Sequence, residues 1–279
     1  MTRIGGVLVA LLLISAVPAP AYAQAVAAAP APQLTVEQMK DFLKTAKIIR
    51  SRTTSKGITA PKRVTLSDGV ITHDAVFQSV DERQTVANLT GGGRQAKTEL
   101  NFVDSYRYNL GAYAISGLLG LDHMMPVHIE RRWAGAVGSI SWFVESIMDE
   151  SDRLKKKIQP PNPTDWNNQM YRMRIFTALV RDTDRNLTNV LITPEWKVIM
   201  IDFSRGFRLQ SELMHEKDLA KMDRALMPRL EAMTRDGVKQ AVGDWLTNAE
   251  IDAMMKRRDM LVAHFKKLIA DLGEEKVLY

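Results

Sequence analysis

Three aspartates and two asparagines lie close together in residues 181–203, which read RDTDRNLTNVLITPEWKVIMIDF. Carboxylate and side-chain amide oxygens are the ligands that a hard cation such as Mg²⁺ prefers, and this cation completes its shell with waters and substrate phosphates. Asp and Asn are also common turn residues, because their side chains bind nearby backbone groups. The spacing of these five residues must therefore distinguish a metal and nucleotide site from a polar surface turn.

A predicted hairpin brings two of these residues together. Residues 190–201 read VLITPEWKVIMI, in which two runs rich in β-branched residues flank a proline-containing turn. Pairing Val190 with Ile201 places Asn189 directly opposite Asp202. Opposite residues of antiparallel strands lie about 5 Å apart, close enough for an amide oxygen and a carboxylate to share one cation. We therefore predict that Asn189 and Asp202 are metal ligands.

Asp184 is the candidate base, because it lies on the loop that leaves a predicted helix over residues 166–179. From this loop it could accept a proton from an attacking hydroxyl. The catalytic loop of protein kinases places its metal-binding asparagine five residues after its catalytic aspartate, as Asn189 follows Asp184. The same step from Asp182 leads to Leu187, which cannot bind a metal, so Asp182 is interpreted as a turn or capping residue.

The segment DRNLTN, with the aspartate of IDF thirteen residues after its last asparagine, resembles the signatures of the phosphatidylinositol 3/4-kinase-like branch of the kinase fold. The flanking segments LLGLDHMMPVHIERR and GSISWFVE are also similar in order to those of HipA-type and secretory-pathway atypical kinases. The resemblance covers about residues 50–210. It implies an α+β, two-lobed protein-kinase-like fold, with a β-rich N-lobe and a mainly helical C-lobe.

The resemblance also implies roles for individual residues. Asp184 would be the catalytic base, and Asn189 and Asp202 would bind Mg²⁺ or Mn²⁺ together with ATP. Residues 142–145, which end at Glu145, would form the hinge that holds the adenine.

One departure from the family pattern bears directly on activity. Gln78 stands where such kinases have the phosphate-binding lysine, and a neutral amide cannot offset phosphate charge unless Lys62 or Arg83 reaches the site. Glu99, before the long helix predicted over residues 104–121, is the candidate for the glutamate of the usual lysine–glutamate ion pair, and Asp104 is the alternative.

The 279 residues are divided into segments by composition. Residues 1–23 have a charged start, an apolar run and a small-x-small cleavage site, which predict a signal peptide. Residues 24–34 form an Ala/Pro linker, residues 35–148 the N-lobe with its hinge, and residues 149–279 the helical C-lobe with the catalytic hairpin. The apolar run is shorter than the roughly 20 residues that span a bilayer, so we expect an exported periplasmic or secreted protein without a permanent membrane span.

Composition argues against several other functions. The net charge of +6 comes with only short basic clusters and 7% aromatic residues, which is atypical of nucleic-acid binding. The five histidines show no metal-ligand spacing, so zinc is not expected. A Gly-x-Ser-x-Gly nucleophile motif is absent from the sequence, which disfavours a hydrolase.

We therefore predict phosphoryl transfer from ATP to a hydroxyl on a protein, a lipid or a small molecule, with Mg²⁺ or Mn²⁺ as cofactor. Two alternatives use the same fold. Gln78 favours a pseudokinase that acts as a binding module, and nucleotidyl transfer would require the same metal and nucleotide.

Overall fold

The computed structural model describes residues 34–53, 61–89 and 97–279, which all belong to one unit of the chain. The predicted signal peptide (residues 1–23) and all but the last residue of the predicted linker (24–34) lie outside the described residues. Of the described helices, none is both long enough and apolar enough to cross a membrane.

Strands dominate the first part of the described chain, and helices dominate the part after residue 149, as the composition predicted. The helices are α1 (Val36–Thr45), α2 (Tyr106–Leu119), α3 (Glu150–Lys155), α4 (Pro163–Val180), α5 (Leu226–Ala232), α6 (Arg235–Val242), α7 (Asn248–Leu272) and α8 (Glu274–Val277). The strands are β1 (Lys47–Thr53), β2 (Lys62–Ser67), β3 (Thr72–Gln78), β4 (Asp81–Leu89), β5 (Lys97–Ser105), β6 (His128–Trp133), β7 (Ala136–Trp142), β8 (Met148–Asp149), β9 (Val190–Ile192) and β10 (Val198–Met200).

The strand-rich part is built around an antiparallel sheet with the order β1-β2-β3-β7-β6. Successive side chains of a strand point to opposite faces, so this sheet has an apolar face and a polar face. The apolar face packs against α1 and carries Val64, Leu66, Ala75, Phe77 and Ile140. The polar face carries Arg63, Thr65, Asp74, Gln78 and Ser139. Strands β4 and β5 form a separate hairpin that leads directly into α2.

A second, larger hydrophobic core lies among the helices of the C-terminal part and includes the β9–β10 hairpin. Helix α2 contributes Ala112 and Ile115 to this larger core, while Tyr113 is packed against both cores. Helix α2, which lies between β5 and β6 in the chain, is therefore the element that joins the two cores.

The helices predicted over residues 104–121 and 166–179 are present as α2 and α4, and side chains cap their first turns. Helix α2 begins after the N-cap Ser105, and α4 begins after the N-cap Asn162. Thr247 and Glu250 form a capping box at the start of α7, and Thr35 and Gln38 form one at the start of α1.

The β9–β10 hairpin has the predicted position, but its register differs from the prediction by one residue. Val190 pairs with Met200, not with Ile201. The Ile201 N–H donates to the Asn189 carbonyl at 3.0 Å, so Asn189 faces Ile201 rather than Asp202. Strand β10 ends at Met200, and Asp202 adopts a φ of 56°, so a turn rather than the strand pleat directs the Asp202 side chain.

Strand β8 crosses the predicted boundary between the lobes at residues 148 and 149. It pairs with β9, so the chain that leaves the predicted hinge adds a strand to the hairpin that carries Asn189. The boundary itself stays a prediction, since the described residues form one unit.

Candidate active site

The loop that carries the candidate base starts where α4 ends. Arg181 caps the helix with a φ of 47°, which turns the chain away from the helix axis. Asp182 follows and is only 2% exposed. Its Oδ1 accepts a hydrogen bond from the Asp184 N–H at 3.1 Å, and its Oδ2 lies 2.5 Å from Nη2 of Arg185. Asp182 therefore shapes the turn, which is the structural role that the spacing predicted for it.

Arg185 fastens this loop to the end of β10. Its Nη1 donates to the carbonyls of Asn189 (3.0 Å) and Ile201 (2.5 Å), and its Nη2 donates to the Asp202 carbonyl at 3.2 Å. The guanidinium also lies 4.1 Å from the ring centroid of Phe203. Because one guanidinium bonds both segments, the relative positions of Asn189 and Asp202 are fixed through the backbone. Sequence reasoning gave this arginine of the DRN motif no role, although the motif itself was the available signal.

Asn189 and Asp202, the predicted metal ligands, lie on the two segments that Arg185 joins. The Asn189 amide nitrogen lies 3.5 Å from the Asp184 carbonyl, so the amide nitrogen rather than the amide oxygen faces that carbonyl. The Asp202 side chain is half-buried, and its Oδ1 accepts a long hydrogen bond of 3.4 Å from the Ser204 N–H. The left-handed conformation of Asp202 is uncommon for a residue with a side chain and tends to occur at functional sites.

Asp184 has the exposure that a base for an incoming hydroxyl requires. Its side chain is 39% exposed, and its Oδ1 lies 3.8 Å from Nη1 of Arg205. Its carbonyl accepts a 2.7 Å hydrogen bond from the Asn186 N–H, which keeps the loop tightly turned around it. The carboxylate can therefore meet a substrate from solvent while its backbone stays fixed.

A buried carboxylate, Asp104, lies beside these residues at the end of β5. It is 6% exposed, and its Oδ1 has no hydrogen-bond partner among the described residues. Burial raises the pKa of Asp104 to about 6, a hydrogen bond with Ser204 lowers it, and the negative charge of Asp202 raises it further. The positive charge of Arg205 lowers the pKa of Asp104, so this carboxyl group lies close enough to Asp202 and Arg205 to respond to both charges.

The oxygen donors of Asn189 and Asp202 suit Mg²⁺ or Mn²⁺, because these cations do not need a site built from protein side chains alone. In the described part of the chain, no three His, Cys, Asp or Glu side chains converge as a metal cage would require. Mg²⁺ ordinarily takes one or two carboxylates and fills the rest of its shell with water and substrate phosphates. Asp202 and Asn189 match that smaller protein contribution.

At the end of β3, Gln78 bonds to a residue that sequence reasoning did not identify. Its Oε1 accepts a 2.7 Å hydrogen bond from the side-chain amide of Asn109 on α2. The Oδ1 of Asn109 in turn accepts a 2.7 Å bond from the Phe203 N–H, which directly follows Asp202. Gln78 and Asn109 are 8% and 3% exposed. A buried neutral amide bridge therefore links β3, α2 and the end of the catalytic hairpin.

The structure places Lys62, another predicted nucleotide-binding residue, on the face of the sheet opposite Gln78, and it describes only the backbone of Glu99. Lys62 is exposed, shares the face of its strand partner Phe77, and holds Nζ 5.5 Å from the Trp133 ring centroid. Glu99 lies on β5 opposite Ala87, and its side chain is outside the described residues. Gln78 is thus bonded to an amide on α2, and Lys62 lies on the other face of the sheet.

The remaining predicted residues lie at the hinge and on β4. Glu145 is exposed and follows β7. The backbone of Phe143 bonds to β3, since its N–H donates to the Asp74 carbonyl at 3.1 Å and its carbonyl lies 3.0 Å from His73 Nε2. Arg83, named as an alternative cation, has Nη2 3.5 Å from Glu250 at the start of α7.

Comparisons with solved structures identify the fold. The chain is similar to hydra Fam20, in a structure described as containing sugar, with a TM-score of 0.62, 13% identity, and coverage of 88% of this chain and 92% of that chain. The Golgi casein kinase with Mn and ADP bound gives a TM-score of 0.59, 13% identity, and coverage of 87% and 78%. The Helicobacter pylori proinflammatory kinase CtkA gives 0.52, 10% identity, and coverage of 82% and 98%.

The protein has an atypical kinase fold. The two-lobed kinase-like architecture expected from the DRNLTN and IDF segments is thereby confirmed. No family model matches the sequence, and no curated protein matches it by sequence comparison. At these low identities, the structural similarity establishes the fold alone. The roles of individual residues have to be inferred from the geometry of this chain.

Proposed function

We propose that this atypical kinase-fold protein transfers the γ-phosphoryl group of ATP to a hydroxyl acceptor, with Asp184 as the base and Asn189 and Asp202 as ligands of Mg²⁺ or Mn²⁺. The observation that carries the proposal is the clamp made by Arg185. It binds the backbone of both metal-ligand residues and the Asp182 carboxylate that shapes the turn before Asp184.

The reaction follows from where these groups lie. A bound divalent cation would neutralise charge on the nucleotide phosphates. The acceptor hydroxyl gives its proton to the exposed Asp184 carboxylate as its oxygen forms a bond to the γ-phosphorus. The bond between that phosphorus and the β–γ bridging oxygen breaks, and ADP leaves with the electron pair. Nucleotide and metal are also bound in the Golgi casein kinase structure, which supports this assignment by analogy of fold.

The binding part of the proposal can be tested by thermal shift. Purified protein without residues 1–23 should melt at a higher temperature with ATP and Mn²⁺ together than with either alone, because the two ligands bind one site. Asp202→Ala should remove this shift, while Asp236→Ala, an exposed residue of α6, should keep it. If the unaltered protein shows no metal-dependent shift with any nucleoside triphosphate, nucleotide binding at this site is refuted.

The chemical part requires the mass of a product. Incubation with ATP and Mg²⁺, followed by mass spectrometry of the protein and of added hydroxyl acceptors, should reveal addition of one phosphoryl group. Addition of a nucleoside monophosphate instead would show nucleotidyl transfer on the same scaffold. The acceptor class, whether a protein, a lipid or a sugar-like small molecule, would be read from the product that gains mass.

A pseudokinase is the second candidate, and the Gln78–Asn109 bridge favours it. Gln78 stands where the resemblance implies the phosphate-binding lysine, and the side chain that bonds it is the neutral amide of Asn109. A pseudokinase would keep its binding partners after Asp202→Ala and would show no phosphoryl transfer with either protein. We further propose that the protein is exported, as its N-terminal sequence predicts, which would place the reaction outside the cytoplasm.

A further inference from the structure

We propose that Arg205 supplies the positive charge that binds the nucleotide phosphates, in place of the lysine that Gln78 replaces. This inference rests on the proposed function and identifies the cation that the phosphoryl-transfer reaction needs. Arg205 lies three residues after Asp202, in the turn that follows the catalytic hairpin.

Contacts on three sides hold Arg205 at the site. Its Nη1 lies 3.8 Å from Oδ1 of Asp184, its carbonyl accepts a 3.2 Å hydrogen bond from the Thr183 hydroxyl, and its guanidinium lies 5.1 Å from the Phe102 ring centroid. The side chain is 15% exposed. The catalytic loop and β5 therefore position a positive charge directly beside the candidate base.

The position beside Asp184 places this charge where the phosphoryl group must react. A base that takes the proton of the attacking hydroxyl lies within hydrogen-bonding reach of it, and that hydroxyl approaches the phosphorus to about 3–3.5 Å. A guanidinium within 4 Å of the base can therefore reach the oxygens of the same phosphoryl group. Its planar fork of donors also matches a phosphate better than an ammonium group does.

The competing cations are used elsewhere. Arg185 donates to backbone carbonyls and pairs with buried Asp182, so moving it would open the catalytic loop. Lys62 lies near Trp133 on the face of the sheet opposite Gln78, and Arg83 pairs with Glu250 on α7. Of these four residues, Arg205 alone combines a contact with the base and a position next to Asp202.

The test measures how the affinity of the full exported chain depends on the number of phosphates. Adenosine, AMP, ADP and ATP are titrated with Mn²⁺ into the unaltered protein and into Arg205→Met, Arg205→Lys, Lys62→Met and Arg83→Met. Arg132→Met, an exposed residue of β6, is the matched control.

We expect Arg205→Met to weaken ATP and ADP binding by about tenfold or more, because a charged hydrogen bond is lost, while adenosine binds as before. The affinity of Arg205→Lys for ATP and ADP should lie between those of Arg205→Met and the unaltered protein. The other variants should bind all four ligands like the unaltered protein. If Arg205→Met keeps its ATP affinity, or if it loses adenosine equally, the assignment is overturned. A larger loss in Lys62→Met or Arg83→Met would also overturn it and move the role to that residue.

A second measurement needs no substitution, in case Arg205→Met does not fold. Inorganic tripolyphosphate with Mn²⁺ should protect Arg205 of the unaltered protein from an arginine-selective reagent, as read by peptide mass spectrometry, and should leave Arg132 unprotected. Equal modification of Arg205 with and without tripolyphosphate contradicts the inference. If the unaltered protein binds no nucleotide at all, the proposed function fails too, whereas nucleotide binding that ignores Arg205 refutes the inference alone.

Discussion

The β9–β10 hairpin and the end of β3 meet at the same candidate site but are stabilised in different ways. At the hairpin, the guanidinium of Arg185 bonds three carbonyls and a buried carboxylate. At the end of β3, the amides of Gln78 and Asn109 bond to each other, and Asn109 also accepts a bond from the Phe203 N–H. A charged side chain therefore fixes the loop to the hairpin, whereas neutral amides link the end of β3 to the hairpin.

The largest expected effect comes from the candidate base. Asp184→Asn should lower the rate of phosphoryl transfer by about 100-fold or more, because an amide cannot accept the proton of the acceptor. Binding of ATP with Mn²⁺ should change little, since Asn189 and Asp202 remain. Comparison of single-turnover rates with binding affinities separates the two effects, and Asp236→Asn serves as a control. An unchanged rate would place the base elsewhere.

The second prediction concerns the charged clamp on the hairpin side of the comparison. Arg185→Met should lower the free energy of unfolding by about 3 kcal/mol, because Asp182 would be left buried without its cation. Urea denaturation followed by circular dichroism measures this loss.

A control for the clamp separates the ion pair from the carbonyl contacts. In the double variant Asp182→Asn/Arg185→Met, the buried charge is removed as well, so part of the lost stability should return. If Arg185→Met is as stable as the unaltered protein, the hairpin is not held by charge, and the contrast with β3 disappears.

The parts of the site that could be predicted from the sequence depend on short-range spacing. The five-residue step from Asp184 to Asn189 is a local feature, and so is the apolar pattern that predicted the helix over residues 166–179. The hairpin was located correctly, but its register was wrong by one residue. A one-residue shift depends on where β10 ends, and the positive φ of Asp202 determines that end.

The unpredicted parts depend on contacts between distant segments. Asn109 meets Gln78 across 31 residues and Phe203 across 94 residues, and no periodic pattern encodes such a bridge. The direction of Lys62 depends on its pairing with Phe77, which sets the face of the sheet on which it lies. Features set by neighbours in the chain can therefore be predicted from the sequence, whereas the partners that packing brings to a residue cannot.

The third prediction restores charge at the end of β3. Gln78→Lys alone should destabilise the protein, because it places a cation in a buried position against the Asn109 amide. Gln78→Lys/Asn109→Glu should recover stability through an ion pair and should tighten ATP binding by about tenfold, since a charged hydrogen bond to phosphate becomes available. Affinity is measured by calorimetry with Mn²⁺.

This double substitution also sharpens the role of the amide bridge. Asn109→Glu removes the amide that bonds Gln78, so by itself it should weaken the link to the hairpin and lower the melting temperature. If the double variant binds ATP no better than the unaltered protein, a lysine at the end of β3 does not reach the phosphates, and the prediction is wrong.

The smallest expected effect is a pH dependence on the sheet side, at His128 of β6. Burial lowers the pKa of His128 from 6.5 to about 4, although its bond to the Pro126 carbonyl and the charge of Asp202 both oppose this shift. The folded state therefore keeps the ring neutral, and as the pH falls below 6.5 the unfolded chain binds the proton first. Stability present at neutral pH is lost progressively until the pH reaches about 4.

Unfolding by urea should show that His128 contributes a loss of about 1 kcal/mol in the free energy of unfolding between about pH 7 and about pH 5.5. His128→Asn, whose amide can still donate to Pro126, should remove that part of the slope. A slope that persists unchanged in His128→Asn would show that carboxylates near the hairpin, not the buried sheet residue, govern acid stability.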